Sequence, residues 1–184
     1  MRNIASFLDR DGVIVESRRH PGDPAPPESV DDVAVPDGVA EALDSLRGDG
    51  YTLIVITNQP DVARGTTTRA TVEAINARIG DLLPIDGVYT CYHDGDGCPC
   101  RKPRPGLLLE AAQDHGVDLE GSWLIGDRWV DIAAGHAAGV RTVLLERPYS
   151  WSPTSQGPPP PGLRPDAVGG TFGDCVAAIR KPTG

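Results

Sequence analysis

The run Ile4-Ala5-Ser6-Phe7-Leu8 is followed at once by Asp9-Arg10-Asp11-Gly12, and this junction constrains the fold more than any other stretch. The mostly apolar segment reads as a buried strand. In an open α/β sheet, ligands bind at the carboxyl ends of the strands. Two carboxylates two residues apart at such an edge repel each other and resist desolvation unless a cation or reaction chemistry compensates them. Asp-x-Asp-Gly in that place suggests a carboxylate nucleophile, a metal and an acid/base partner held in one turn. The competing reading is a plain strand-ending turn, since Asp and Gly are both turn formers.

Three later segments have polar groups in comparable places: Ile56-Thr57-Asn58-Gln59, Cys100-Arg101-Lys102-Pro103 and Ile125-Gly126-Asp127-Arg128-Trp129-Val130-Asp131. The first and last of these end apolar runs, Leu53 to Ile56 and Trp123 to Ile125. Polar strand ends that recur in this way point to one shared sheet edge. Periodicity adds helices over about Asp37 to Arg47, from Thr68 to Leu83, from Pro105, over Asp131 to Ala138 and over Phe172 to Arg180. Further strands are expected at Thr52 to Ile56, Gly87 to Cys91, Trp123 to Ile125, Thr142 to Leu145 and just after Asp166. Strands alternating with helices imply an α/β fold, a three-layer α/β/α sandwich around a mostly parallel sheet.

The 184 residues are expected to form one domain over residues 1–184. Neither the stretch between Asp9 and Thr57 nor that between Thr57 and Lys102 leaves room for a substantial cap domain. The site is therefore expected to be open, screened by loops such as Ser17 to Ser29 and the Cys-rich loop. Two Pro-rich stretches, Pro21 to Pro36 and Pro148 to Pro165, read as surface connections, the second a stiff loop at 148–165 before the last strand. A net charge of −9 argues against nucleic acid or an anionic membrane surface as a partner. No apolar stretch approaches the ~20 residues of a membrane span, and no signal-peptide pattern opens the chain, so a cytoplasmic protein is expected.

The loop at 91–100, Cys91-Tyr92-His93-Asp94-Gly95-Asp96-Gly97-Cys98-Pro99-Cys100, gathers three of the four cysteines and one of the four histidines. Cys91, His93, Cys98 and Cys100 match a closed, structural Zn²⁺ set. A disulfide is the competing account, and the participating histidine and the cytosolic setting weigh against it. Cys175 reads as a small core residue.

Taken together, these motifs resemble the haloacid dehalogenase superfamily of phosphohydrolases. Phe-Leu-Asp-Arg-Asp-Gly, Thr-Asn-Gln with Ala63-Arg64-Gly65, and Cys-Arg-Lys-Pro-x-Pro-Gly are similar to its small, capless branch of heptose bisphosphate and histidinol-phosphate phosphatases. The chain departs from that pattern at Pro60-Asp61, where Ser-Gly is usual, and at Arg128, where Lys is common.

The resemblance implies hydrolysis of a phosphate monoester through an aspartyl-phosphate on Asp9, with Asp11 as acid and base. It implies Mg²⁺ held by the Asp9 carboxylate, the Asp11 backbone carbonyl and Asp127. Thr57, Asn58, Gln59 and Lys102 would surround the phosphoryl group. Arg101 and Arg128, with Arg18, Arg19 and His20, would meet the rest of the substrate. Asp131 is expected to act only indirectly, if it is more than a helix-start acid. The expected partner is a small phosphorylated metabolite, first a heptose bisphosphate and next histidinol phosphate, acted on by a monomer. A polynucleotide 3′-phosphatase is disfavoured by the acidic charge. A catalytically silent zinc-binding scaffold would have to explain why every required polar group is present.

Overall fold

The structure, a computed structural model, describes residues 3–20, 23–95 and 97–180. Its main sheet is built from β1 (Ile4–Leu8), β4 (Tyr51–Asn58), β5 (Gly87–Cys91), β6 (Trp123–Gly126), β7 (Arg141–Leu145) and β8 (Ala167–Gly169). The spatial order is β5-β4-β1-β6-β7-β8, and every pairing is parallel. A separate antiparallel hairpin joins β2 (Arg18–His20) to β3 (Asp23–Ala25). The helices are α1 (Val39–Gly48), α2 (Asp61–Arg64), α3 (Arg69–Leu82), α4 (Gly106–His115), α5 (Trp129–Ala138) and α6 (Phe172–Arg180). Among the described residues, none of them is long and apolar enough to cross a membrane.

The two-residue period of the strands divides the core into two layers. Leu8, Leu53, Val55, Trp123, Ile125, Val143 and Leu145 face α1, α3 and α6, meeting Leu43, Leu46, Ile75, Ile79 and Val176. Ala5, Phe7, Ile54, Ile56 and Leu124 face the other way, onto Leu107, Leu108 and Ala111 of α4 and Ala134 and Ala138 of α5. Thr68 caps α3 by accepting from the Thr71 amide at 3.1 Å, as its sequence position suggested. Pro105 stands one residue earlier than expected, at the N-cap of α4. Gly106 then packs so closely on the Pro99 carbonyl that a Cβ would overlap it. Cys175 is fully buried in the first layer, the core role expected of it.

The order of strands decides where the chemistry lies. The chain leaves the centre at β1, builds outward through β4 and β5, then returns to β1's other flank with β6. The carboxyl ends of β4, β1 and β6 thus stand side by side, and the crevice at such a reversal is where open α/β sheets bind ligands. The sheet ladder extends one step past β1, with the Asp9 amide donating to the Ile125 carbonyl at 2.9 Å.

β6 pairs with β1 only from Trp123 onward, so the amide of Ala5 on that side needs another acceptor. Ser122 supplies it: its hydroxyl accepts from Ala5 at 2.9 Å and donates to the Asp118 carbonyl at 2.6 Å, fully buried. Ser122→Ala is expected to cost about 1–3 kcal/mol, the penalty of an unpaired buried amide. Urea unfolding should show a lower midpoint at unchanged slope.

Candidate active site

The three strand ends and the loop after β5 converge on an open cleft of about 320 Å³ lined by Asp9, Asp11, Thr57, Asn58, Gln59, Arg101, Lys102, Asp127, Arg128 and Asp131. Asp9, Asp127 and Asp131 each bring a carboxylate oxygen to within 4.8 Å of the other two. Lys102 sits among them with Nζ 2.6 Å from Asp9 and 2.7 Å from Asp131, and donates to the Ile56 carbonyl at 3.1 Å. Burial alone would push this ammonium down, but Asp131 and Asp9 outweigh it and hold Lys102 above its ordinary value.

One cation does not neutralise three acids. Burial raises Asp9 to about 6 against the pull of Lys102, with Asp131 and Asp11 adding to the rise. Burial, followed by the charges of Asp9 and Asp131, holds Asp127 well above the usual carboxylate range. Crowded, buried oxygens of this kind form a hard donor set that fits a small divalent cation such as Mg²⁺. That cation would supply the positive charge the cluster lacks.

Asp11 is held by two residues. Arg10, fully buried, donates from Nε and Nη2 to the two Asp11 oxygens, each at 3.0 Å. Its third nitrogen donates to Asn76 on α3 at 2.8 Å, and Asn76 donates to Thr90 at 3.1 Å. Gln59 donates to Asp11 at 2.7 Å and to the Thr57 hydroxyl at 2.9 Å. Arg10 carried no expectation, yet an arginine between two acids in the turn directly after a buried strand was the available signal.

Asn58 does more than end β4. Its side chain accepts from the Lys102 amide at 3.1 Å and donates to the Lys102 carbonyl at 3.0 Å, latching the lysine's backbone to the sheet edge. Asp131 is both things considered for it: it accepts from the Arg128 amide at 3.0 Å at the start of α5, and it pairs with Lys102 while 1% exposed.

The outer wall is built from loops fastened to one another. Arg101 lines the cleft, but it is 5% exposed and its guanidinium donates to the His93 carbonyl, to Asp94 and to the Ser155 hydroxyl. Arg64 grips the same Asp94 with two hydrogen bonds, at 2.7 and 3.0 Å, and reaches Asp61 at 3.2 Å. Arg64 and Arg101 together hold the Asp94 carboxyl well below its usual range. Thr154, Ser155 and Gln156 bring the 148–165 loop into the lining, whereas the sequence suggested only a surface connection. Ser17 and Pro26 line the opposite side, as expected for the loop after β1. The side chains of Arg18, Arg19 and His20 lie outside the described part of the structure. His115 and His136 lie away from the cleft, packed on Tyr89 and beside Thr142 respectively.

Next to Arg101, Cys91, Cys98, Cys100 and His93 cluster within 4.8 Å of one another, and all four cysteines of the chain are free. Sulfur–sulfur distances of 3.1 and 3.7 Å and sulfur–Nδ1 distances of 3.3 and 3.6 Å approach the edges of a zinc tetrahedron. With Zn–S bonds of ~2.3 Å those edges are about 3.8 Å. Burial, then contact with Cys91 and Cys98, pushes the Cys100 thiol up, and a bound cation would offset that by stabilising the thiolate.

A family profile described as HAD-hydrolase-like matches residues 99–168. The D-glycero-beta-D-manno-heptose-1,7-bisphosphate 7-phosphatase of Helicobacter pylori strain J99 is 36% identical over 162 residues, 81% of this chain and 90% of that protein. The chain belongs to the haloacid dehalogenase superfamily, and it is a phosphoric monoester hydrolase. The enzyme of the same name from Escherichia coli K12 is 36% identical over 156 residues, 78% of each chain. The crystal structure of D,D-heptose 1,7-bisphosphate phosphatase from B. bronchiseptica, complexed with magnesium and phosphate, superposes with a TM-score of 0.76 at 28% identity. It covers 96% of this chain and 97% of that one.

Removing the central ammonium tests the electrostatic balance. Lys102→Met should cost about 3–5 kcal/mol of stability in magnesium-free buffer near pH 8, since it leaves buried carboxylates without their partner. Without Lys102 the Asp9 carboxyl rises above about 6, further from the value of ~3.9 it has in the unfolded chain. A carboxyl raised by folding destabilises when ionised, so the deficit is full above the folded pKa and shrinks as pH falls through it. Urea unfolding near pH 8 and pH 5 checks this; an equal deficit at both contradicts it.

Proposed function

We propose that this phosphatase removes the 7-phosphate of D-glycero-D-manno-heptose 1,7-bisphosphate, and that it does so with Mg²⁺ and a structural Zn²⁺. The observation that carries the chemistry is the Asp9 carboxylate at the end of β1, 2.6 Å from Lys102 and flanked by Thr57, Asp11 and Asp127. The substrate rests on the likeness to the Helicobacter pylori and Escherichia coli enzymes, over nearly their whole length in the first case. Support for magnesium comes from the oxygen cluster and from the B. bronchiseptica complex.

Asp9 attacks phosphorus, and the bond from phosphorus to the C7 oxygen breaks. Asp11, as the general acid, gives a proton to the leaving oxygen. The products of this half are the free alcohol and a phosphoryl group on Asp9. Asp11, now a carboxylate, takes a proton from water; the water oxygen attacks phosphorus, and Asp9 leaves as carboxylate with inorganic phosphate. The Gln59 and Arg10 hydrogen bonds set where the Asp11 oxygens stand through both halves.

The Thr57 hydroxyl, the Asn58 backbone amide and Lys102 donate to the phosphoryl oxygens as charge builds there. Asp9, the Asp11 carbonyl and Asp127 would hold Mg²⁺, which would supply positive charge at this place. Arg101 and Arg128 line the cleft and meet the non-reacting part of the sugar phosphate. Arg18, Arg19 and His20 are assigned to the same task from the loop after β1.

The test is phosphate release from a panel of heptose 1,7-bisphosphate (both anomers), histidinol phosphate and 3′-phosphorylated oligonucleotides, each with and without Mg²⁺. Turnover of the heptose compound that depends on Mg²⁺ and falls by at least about 10³-fold in Asp9→Asn is the expected result. Preference for histidinol phosphate would move the enzyme to the other activity of its branch.

Zinc has its own test. Purified protein should carry a stoichiometric zinc ion by plasma mass spectrometry, and Cys98→Ser should lose it. Because Arg101 and Lys102 follow the ligand loop directly, loss of the metal should lower kcat together with stability.

A further inference from the structure

The connection from β7 to β8 is tied to the start of α5 by more bonds than a passive linker needs. Tyr149 donates from its hydroxyl to Asp127 Oδ2 at 2.7 Å, and Ser150 donates to the Asp127 backbone carbonyl at 2.6 Å. The Ser150 carbonyl accepts from the Trp129 amide at 2.9 Å, and the Ser150 hydroxyl also accepts from the Arg147 amide at 2.9 Å. The Trp129 indole donates to the Ser152 carbonyl at 3.1 Å. The Arg128 guanidinium lies over the Tyr149 ring, 4.8 Å from its centre. On the far side, Gly12 of the nucleophile loop approaches so closely that a Cβ there would overlap Asp127 Oδ2 and lie 2.9 Å from the Tyr149 oxygen. Gly12 has φ of 85°, a conformation that suits glycine.

The phenol is therefore wedged between the two acidic loops, outside both apolar layers, with its one donor aimed at one carboxylate oxygen. A carboxylate buried at 2% exposure has two oxygens to satisfy. Engaging Oδ2 fixes the rotation of the group and turns Oδ1 toward other partners. A neutral donor does this without adding a positive charge that would compete with a cation.

We infer that Tyr149 is a positioning residue that presents Asp127 to the divalent cation, a role carried by the β7–β8 loop and not by any motif of the strand ends. The inference rests on the reading of Asp127 as a metal ligand. Partners that orient metal ligands are typically worth about 10–100-fold in metal affinity.

Tyr149→Phe keeps the ring beside Arg128 and removes only the donor. Calorimetric titration of the substrate-free, zinc-loaded protein with Mg²⁺, and Mn²⁺ binding by electron paramagnetic resonance, should show affinity weakened by about 10–100-fold. At saturating Mg²⁺, kcat should stay within about threefold of wild type, since Asp9, Asp11 and Lys102 are untouched. Ser150→Ala is the companion variant. It releases the Asp127 carbonyl but leaves the phenol bond, so it should lower the melting temperature without a matching loss of metal affinity. Mg²⁺ affinity within twofold of wild type in Tyr149→Phe overturns the inference. So do equal losses in both variants, which would trace the effect to loosening of the loop. Wild-type protein that binds neither ion overturns the metal assignment of Asp127, and the inference with it.

Discussion

Three carboxylates crowded at one sheet edge, two of them paired with a single buried ammonium, are the constraint on which the rest of this structure depends. The strand order makes the meeting unavoidable, because β1 and β6 are neighbours and an acid follows each directly. Burial makes it costly, as the raised Asp9 and Asp127 carboxyls record. Lys102 must therefore come to the centre from the loop after β5, two strands away from β1. A flexible lysine at that distance would lose side-chain freedom on docking. The Asn58 latch on its backbone and the three contacts of its Nζ set its position in advance. The shortage of positive charge that remains is what makes the cleft a place for a cation and for the phosphoryl group it accompanies.

The walls of the cleft follow a different logic from its floor. The floor is made by strand ends and is rigid because the sheet is rigid. The walls are loops, and each is fastened by polar contacts to another loop. Arg101 joins the cysteine loop to Ser155, and Asp94 joins it to Arg64 and so to the turn after β4. Individually, exposed ion pairs of the Arg64 type contribute little. Here they share partners, and Arg101 is almost fully buried, so the set acts as one fastened rim.

The floor was legible in the sequence and the rim was not. Asp9, Asp11, Thr57 and Asp127 follow or end apolar runs, so hydrophobic patterning puts them on one edge, whereas Lys102 follows no such run and was placed there by the resemblance to the family. The cysteine and histidine spacing announced its cluster in the same local way. Contacts between loops leave no such trace: Arg101 and Ser155 are 54 positions apart, and Tyr149 and Asp127 are 22 apart. The β2–β3 hairpin has strands of only three residues, one containing Pro24, and α2 has four residues, too short for periodicity to register. Side chains that work on neighbouring groups, such as Asn58 on the Lys102 backbone and Gln59 on the Asp11 carboxylate, were visible as strand-end polar residues but not in their tasks.

The two departures from the branch pattern make sense as parts of that rim. Asp61, in place of the usual glycine, opens α2 and takes a hydrogen bond from Arg64, whose other nitrogens hold Asp94. Arg128, in place of lysine, lays a flat guanidinium over the Tyr149 ring, a contact that a compact ammonium makes less well. Each substitution adds a group that can grip a neighbouring loop, and each stands on the cleft lining. The chemistry at the strand ends is left as it was. What changes is how firmly the rim of the cleft is held.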